Sequence, residues 1–167
     1  MKMPIFVARQ FVRHRTQSIS ELSARYSILP EEYYVPAIEQ ICYQDKKNKQ
    51  GRAEPLPEKE ALIIQSYMRE KGEIAFQQYK QLLEANVARE TARMVLPLST
   101  YTQWNTTMNL HNLLHFLSLR LDVHAQWEAR QYAEAIAKIV AAWVAITWQA
   151  FVDFRLNQVE KNVCGNC

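Results

Sequence analysis

Glycine and cysteine are both scarce in this 167-residue chain, with three of each, and each shortage excludes something. No G-x-G-x-x-G and no P-loop occurs, so any nucleotide must be held by side chains and irregular backbone. The cysteines, Cys42, Cys164 and Cys167, form an odd set without a secretory leader, which argues against a disulfide framework and for reduced thiols in a cytoplasmic setting. No apolar run reaches the roughly 20 residues of a membrane span. The most apolar run, "IVAAWVAITWQAF" at Ile139–Phe151, follows Lys138 and reads as a buried helix. The start, "MKMPIFVARQF", lacks the long apolar region and cleavage site of a signal peptide. A formal net charge of +3 is too mild to favour a nucleic-acid polymer, whereas a local cluster of arginines suits a small anionic ligand.

What is present is a helix-rich, half-apolar chain of single-domain length. The β-branched and aromatic "PIFVARQFV" from Pro4 to Val12 suggests a strand. The polar stretch after it reads as a loop, or a loop leading into a short helix. "EEYYVP", Glu31 to Pro36, is a second extended candidate, and "YQDKKNKQGRAEPLP" marks a solvated loop without function. Pro57 to about Asn86 predicts a long helix, disturbed at Gly72. "ARETARMVL" predicts a helix that stops before Pro97 and sets Arg89 and Arg93 one turn apart. "STYTQWNTTMN" alternates as a strand does, and "LHNLLHFLSLRL" returns to helical spacing. Ala125 to about Phe154 predicts one long helix, or two end to end. Irregularly mixed strands and helices point to an α+β fold, with an antiparallel sheet packed against long helices. Residues 1–156 are read as one domain and 157–167 as a flexible tail.

Chemistry concentrates in "RHRTQSISELSARY", Arg13 to Tyr26. Ser18 and Glu21 have capping-box spacing, so Ser18 is a candidate helix cap. A cap needs no guanidinium groups, and Arg13, Arg15 and Arg25, with Gln10 nearby, offer forked donors suited to phosphate. An anion site and a solvated charged loop both remain open on composition alone. Further on, His111 and His115 lie one helical turn apart. They read as ordinary helix-face histidines or part of an organic-ligand site; a metal site with Glu128, Cys164 or Cys167 is poorly supported, because H-E-x-x-H is missing. Arg120 follows an apolar run, and a buried guanidinium requires an anionic or polar partner. Tyr101, Trp104, Trp127 and Tyr132 read as core or interface aromatics.

Arg13, His14, Arg15, Ser18, Ser23 and Arg25 meet the signature R-H-R-x-x-S-x-x-x-x-S-x-R. The chain resembles the flavin-dependent thymidylate synthases there, and again in "PIFVARQFVRHR", "SELSARYSILPEEYYVP", "ARMVLPLSTYTQW" and "NLLHFLSLRLDVHAQWEARQYAEAIA". Most of the chain is covered in the same order. The resemblance implies formation of dTMP from dUMP, with methylenetetrahydrofolate as carbon donor, FAD as redox carrier and NADPH as reductant. It implies nucleotide contacts from Gln10, Arg13, Glu21, Leu22, Ser23, Ala24 and Arg25, and from Arg93 across a subunit boundary. Flavin contacts are implied for Arg13, His14, Arg15, Thr16 and Glu21, with Asn109, Leu110, His111 and His115.

The resemblance further implies that Arg120 sits on the uracil ring as the catalytic cation, favouring the N3-ionised form. It implies a homotetramer with sites at subunit interfaces. Ser20 and His115 stand where asparagine is common in the family. The family's usual N-terminal segment, several dozen residues with a flavin-holding histidine, has no counterpart in these 167 residues. Two other readings stand beside the enzyme: a non-catalytic fragment that at most binds nucleotide, and a helical interaction module whose arginines meet an acidic partner.

Overall fold

A computed structural model describes residues 1–156. The expected tail, 157–167, lies outside the described residues, as do Cys164 and Cys167. The chain forms two compact units. The first comprises Met1–Val12 with Ile19–Thr106, and the second Arg13–Ser18 with the chain from Thr107 onward. The arginine-rich motif is thus divided between them at Ser18 and Ile19.

The first unit begins with strand β1 (Lys2–Pro4) and helix α1 (Ile5–Phe11), followed later by strand β2 (Ser18–Glu21). The expected strand over Pro4 to Val12 is therefore largely a helix. Its buried residues, Val7, Ala8 and Phe11, have helical spacing, and this periodicity outweighs the β propensity of the side chains. Pro4, with φ −62°, stands at the helix start, where a missing N–H costs nothing. Ser18 and Glu21 lie in a strand, so no capping box forms there; the pattern was that of a cap, but the backbone pairs with a neighbouring strand instead. Leu22 N donates to Gln103 O at 2.8 Å just past the strand end.

Strands β3 (Cys42–Gln44) and β4 (Arg52–Pro55) pair antiparallel, Cys42 opposite Pro55 and Gln44 opposite Arg52. The segment expected as a plain solvated loop is thus a hairpin. Its polar side chains build the turn: Asp45 Oδ1 accepts from Lys47 N and Asn48 N, while Gln44 Nε2 donates to the carbonyls of Asp45, Lys49 and Gly51. Helix α2 (Glu58–Glu84) then runs unbroken through Gly72, and helix α3 (Arg89–Ala92) continues into a 3-10 turn, Arg93–Val95. Both elements end before Pro97, as expected from the restriction proline places on its predecessor. Strand β5 (Tyr101–Thr107) sits at the middle of a sheet ordered β1-β5-β2, and Lys2, Met3 and Pro4 lie opposite Gln103, Thr102 and Tyr101 in antiparallel register. Along β5, Thr102 and Trp104 are buried while Gln103 and Asn105 are exposed, the period-2 pattern of a strand with one wet face. The second extended candidate is reduced to an isolated bridge, Tyr33 with Thr100. A core of Ala24, Leu29, Phe76, Tyr79 and Ala92 packs helices α2 and α3 against the end of the motif and the segment that follows it.

The second unit contains helix α4 (Leu110–Arg120), helix α5 (Trp127–Trp143) and helix α6 (Ala145–Phe151). Asn109 caps α4, its side chain accepting from Asn112 N at 2.9 Å. The long C-terminal helix is two helices, interrupted at Val144, whose φ of −130° and ψ of 58° leave helical geometry. Ala129, Ala133, Ala137 and Val140 form the buried stripe of α5; alanines at this spacing permit close helix packing. Among the described residues, no helix is long and apolar enough to cross a membrane. The architecture is α+β, with antiparallel pairing and long helices.

Candidate functional site

In the first unit, a cavity of about 380 Å³ opens between strand β2, helix α1 and the 3-10 turn after α3. Its lining includes Glu21, Leu22, Ser23, Ala24 and Arg93, five residues expected to contact nucleotide. Arg93 lies far off in sequence but on the same wall-bounded space within this one chain. It is exposed, and its guanidinium makes no hydrogen bond or ion pair among the described residues. Ile5, Leu29, Leu96 and Thr102 complete the lining, and none of these was expected. Thr102 had one legible signal, namely a threonine on the inward phase of an alternating strand. Its hydroxyl donates to Glu21 Oε1 at 2.7 Å.

Arg25 is outside the cavity lining. Its guanidinium meets Glu90 Oε2 at 3.1 Å, and its backbone N–H donates to Ser23 Oγ at 3.3 Å. Arg89 instead donates to Tyr26 O at 2.6 Å. Gln10 lies half-buried on α1.

The second unit gathers the other group of expected residues. Arg13 and Arg15 are exposed, and neither makes a hydrogen bond or ion pair among the described residues. His14 between them is buried, 5% exposed, so the two flanking guanidinium groups are displayed while the imidazole anchors the loop. The His14 ring lies 5.6 Å from the ring of His115 and 5.5 Å, edge-on, from that of Phe116. Its Nε2 shares a hydrogen bond of 2.9 Å with Thr16 Oγ1. Asn112 Nδ2 donates to Thr16 O at 3.2 Å, pinning the loop to α4. Asn112 was not foreseen, although it stands three residues after the cap Asn109.

Burial holds the basicity of His14 below the ordinary histidine value, and the charges of His115 and Arg120 reinforce this; hydrogen bonding to the Asn112 backbone acts in the opposite direction. Nε2 of the neutral ring is then the acceptor for the Thr16 hydroxyl. Arg120 occupies the last turn of α4, where a cation complements the helix dipole. Desolvation lowers its pKa, yet guanidinium stays charged at any physiological pH. Leu110 opens α4, and His111 and His115 are exposed along it. Among the described residues, no group of three or more His, Cys, Asp or Glu side chains is placed to hold a metal ion.

Chemically, the first unit offers an open cavity with the Arg93 guanidinium, the hydroxyls of Ser23 and Thr102, and the Glu21 carboxylate that Thr102 orients. The second offers two cations, uncommitted among the described residues, flanking a neutral imidazole.

Residues 1–145 match the family described as thymidylate synthase complementing protein. The chain belongs to that family. Among its relatives, the flavin-dependent thymidylate synthase of Anaplasma marginale (strain St. Maries) is 51% identical over 156 residues, covering 93% of this chain and 54% of the relative. The flavin-dependent thymidylate synthase of Thermus thermophilus is 52% identical over 156 residues, covering 93% and 56%. This chain therefore spans about half the length of the curated relatives it matches. Among solved structures, the UMP/dUMP methylase PolB from Streptomyces cacaoi, bound with 5-Br UMP, superposes with a TM-score of 0.87 at 34% identity, over 93% of this chain and 72% of that one. A second structure of PolB, bound with 5-Br dUMP, gives a TM-score of 0.81.

Proposed function

We propose that this chain acts as a flavin-dependent thymidylate synthase, converting dUMP to dTMP with methylenetetrahydrofolate as carbon donor and NADPH as reductant, in the cytoplasm and as a homotetramer. The observation that carries the reading is the cavity lined by Glu21, Leu22, Ser23, Ala24 and Arg93, a combination of hydroxyl and unpaired guanidinium suited to a phosphate monoester. The names of the relatives and the nucleotide analogues bound to the solved neighbours support the same substrate class.

Roles are assigned within each unit. In the first, Ser23 and Arg93 take the nucleotide phosphate, with Arg25 joining once released from Glu90; Leu22 and Ala24 shape the pocket, and Gln10 reaches the nucleotide from α1. In the second, Arg120 stabilises negative charge at the pyrimidine N3 and its neighbouring oxygen, the logic of an oxyanion hole. Its partial desolvation strengthens that interaction, because Coulomb energies grow as the local dielectric falls.

The residues present fit FAD. Arg13 and Arg15 are cations without an anionic partner among the described residues, as a pyrophosphate requires, and Thr16, Asn109, Leu110, His111 and His115 supply polar and apolar contacts beside them. Bound FAD would supply reversible storage of the hydride taken from NADPH. His14, neutral and buried, orders the loop without adding charge. Cys42 has no part as a nucleophile, since activation is electrostatic.

Isothermal titration of dUMP into the purified chain tests the reading. Ser23→Ala and Arg93→Ala are each expected to weaken binding about tenfold or more, the loss for a charge-assisted contact. Equal affinity in wild type and both variants sinks the assignment. A flavin absorption band on the purified chain, with dTMP formation lost in Arg120→Ala, supports the enzyme. Binding of dUMP without turnover by the wild-type chain favours instead a nucleotide-binding fragment, and the absence of both flavin and dUMP binding favours an interaction module.

A further inference from the structure

We propose that Thr102 is a positioning residue for the nucleotide cavity, holding the Glu21 carboxylate so that it accepts a hydrogen bond from the sugar hydroxyl of the bound nucleotide. The inference rests on the reading of that cavity as the dUMP site.

A carboxylate beside a phosphate-binding cavity poses a problem, because it repels the phosphate that Arg93 attracts. Its presence is explained if it faces a neutral donor, and a nucleoside monophosphate offers such a donor in its sugar hydroxyl. Glu21 ends an exposed stretch of strand, and a glutamate there samples several rotamers unless something restrains it. Thr102 is that restraint. It is 4% exposed, it sits on the central strand of the sheet, and its β-branched side chain is stiff about its first torsion. Its hydroxyl reaches Glu21 Oε1 at 2.7 Å, and both residues line the cavity. A hydroxyl donating to a carboxylate makes one of the stronger neutral-to-ion hydrogen bonds. It occupies one lone pair of Glu21, leaving the others for the ligand.

The experiment measures dUMP affinity by calorimetry for the wild-type chain, Thr102→Val, Thr102→Ser, Glu21→Gln, and Glu21→Gln combined with Thr102→Val. Thermal unfolding by circular dichroism runs in parallel. Thr102→Val is expected to bind about tenfold more weakly, the effect of losing one charge-assisted hydrogen bond. Thr102→Ser keeps the hydroxyl and is expected to stay within about twofold of wild type. In the Glu21→Gln background, the valine substitution is expected to cost much less than it does alone, since the two residues act as a unit. Should Thr102→Val fail to fold, Thr102→Ala takes its place with the same expectations.

A valine form that binds as wild type overturns the proposal, as does a serine form equally weakened. So does a full tenfold loss that persists in the Glu21→Gln background. If the wild-type chain itself shows no dUMP binding, the reading of the cavity fails and takes this inference with it. Wild-type binding with an unaffected valine form removes the inference alone.

Discussion

Arg25 pairs with Glu90 at 3.1 Å, both side chains being more than half exposed. An exposed pair of this kind contributes about 0.5 kcal/mol, and a phosphate that recruits Arg25 must displace Glu90 first. Glu90→Gln is therefore expected to raise dUMP affinity about twofold, with the gain shrinking as salt rises and screens the original pair. Calorimetry at low and high ionic strength checks this; an affinity unchanged in the variant would mean that Arg25 does not reach the ligand. His14 makes a different prediction. Its folded-state pKa lies below that of an unfolded histidine, through burial and through His115 and Arg120. Above about pH 6.5 the ring is neutral in both states and contributes no pH dependence. As pH falls below that value the unfolded chain takes up the proton first, so stability declines until the lowered folded pKa is passed. The melting temperature should drop between pH 7 and pH 5 by more in wild type than in His14→Asn. Equal slopes would show that His14 is not the titrating group. The arginines and histidines of the candidate site could be named as candidates because their chemistry is written in residue type. Thr102 and Asn112 were not, because what they do depends on the strand phase and helix turn that bring them to Glu21 and Thr16.

Gly72 shows how an element can be right in outline and wrong in detail. The sequence suggests a disturbed helix at this position, since glycine costs about 1 kcal/mol in a helix interior. The helix is nevertheless continuous over Glu58–Glu84, because Tyr33 lies across it: a methyl group built on Gly72 would overlap the Tyr33 ring. That ring stacks on Phe76 at 5.8 Å, and its hydroxyl donates to Arg69 O at 3.2 Å. Tertiary packing has replaced propensity as the deciding factor. Gly72→Ala, which would stabilise an isolated helix, is accordingly expected to destabilise this protein by about 1–3 kcal/mol, read as a lower urea midpoint. Pairing it with Tyr33→Ala should remove that penalty, because the clash disappears. A Gly72→Ala protein more stable than wild type would show that Tyr33 moves aside without cost. The same contest between local and long-range effects governs the other elements. Long helices and the alternating β5 were legible from periodicity. The helix at Ile5–Phe11 was hidden by β-rich composition, and the strand at Ser18–Glu21 by a capping-box pattern whose outcome was decided by a partner strand more than 80 residues away, Tyr101–Thr107.

At the scale of the molecule, the exposed large apolar side chains bear on assembly. In the second unit Ile139 and Trp143 are 69% and 71% exposed, and Ile146 is 90% exposed. Ile139 and Trp143 are four residues apart on α5 and so share one helical face. Scattered exposed apolar residues need no explanation, but two large ones adjacent on one helical face are a candidate interaction surface. For a chain proposed to work as a homotetramer, the natural occupant is a second copy. Each buried Trp or Ile side chain contributes roughly 1.5–3 kcal/mol, so a symmetric contact repeats that gain on both partners. Trp143→Glu would place a charge in that contact and leave the α5 core stripe of Ala129, Ala133, Ala137 and Val140 untouched. Sedimentation of the wild-type chain at micromolar concentration is expected to show an oligomer, and that of Trp143→Glu a smaller species with unchanged far-UV helicity. The control is Lys138→Glu, which changes charge on the same helix without removing an apolar side chain, and it should sediment much closer to wild type than Trp143→Glu does. A wild-type chain that sediments as a monomer, or a Trp143→Glu form that assembles normally, would remove self-association through this face from the account.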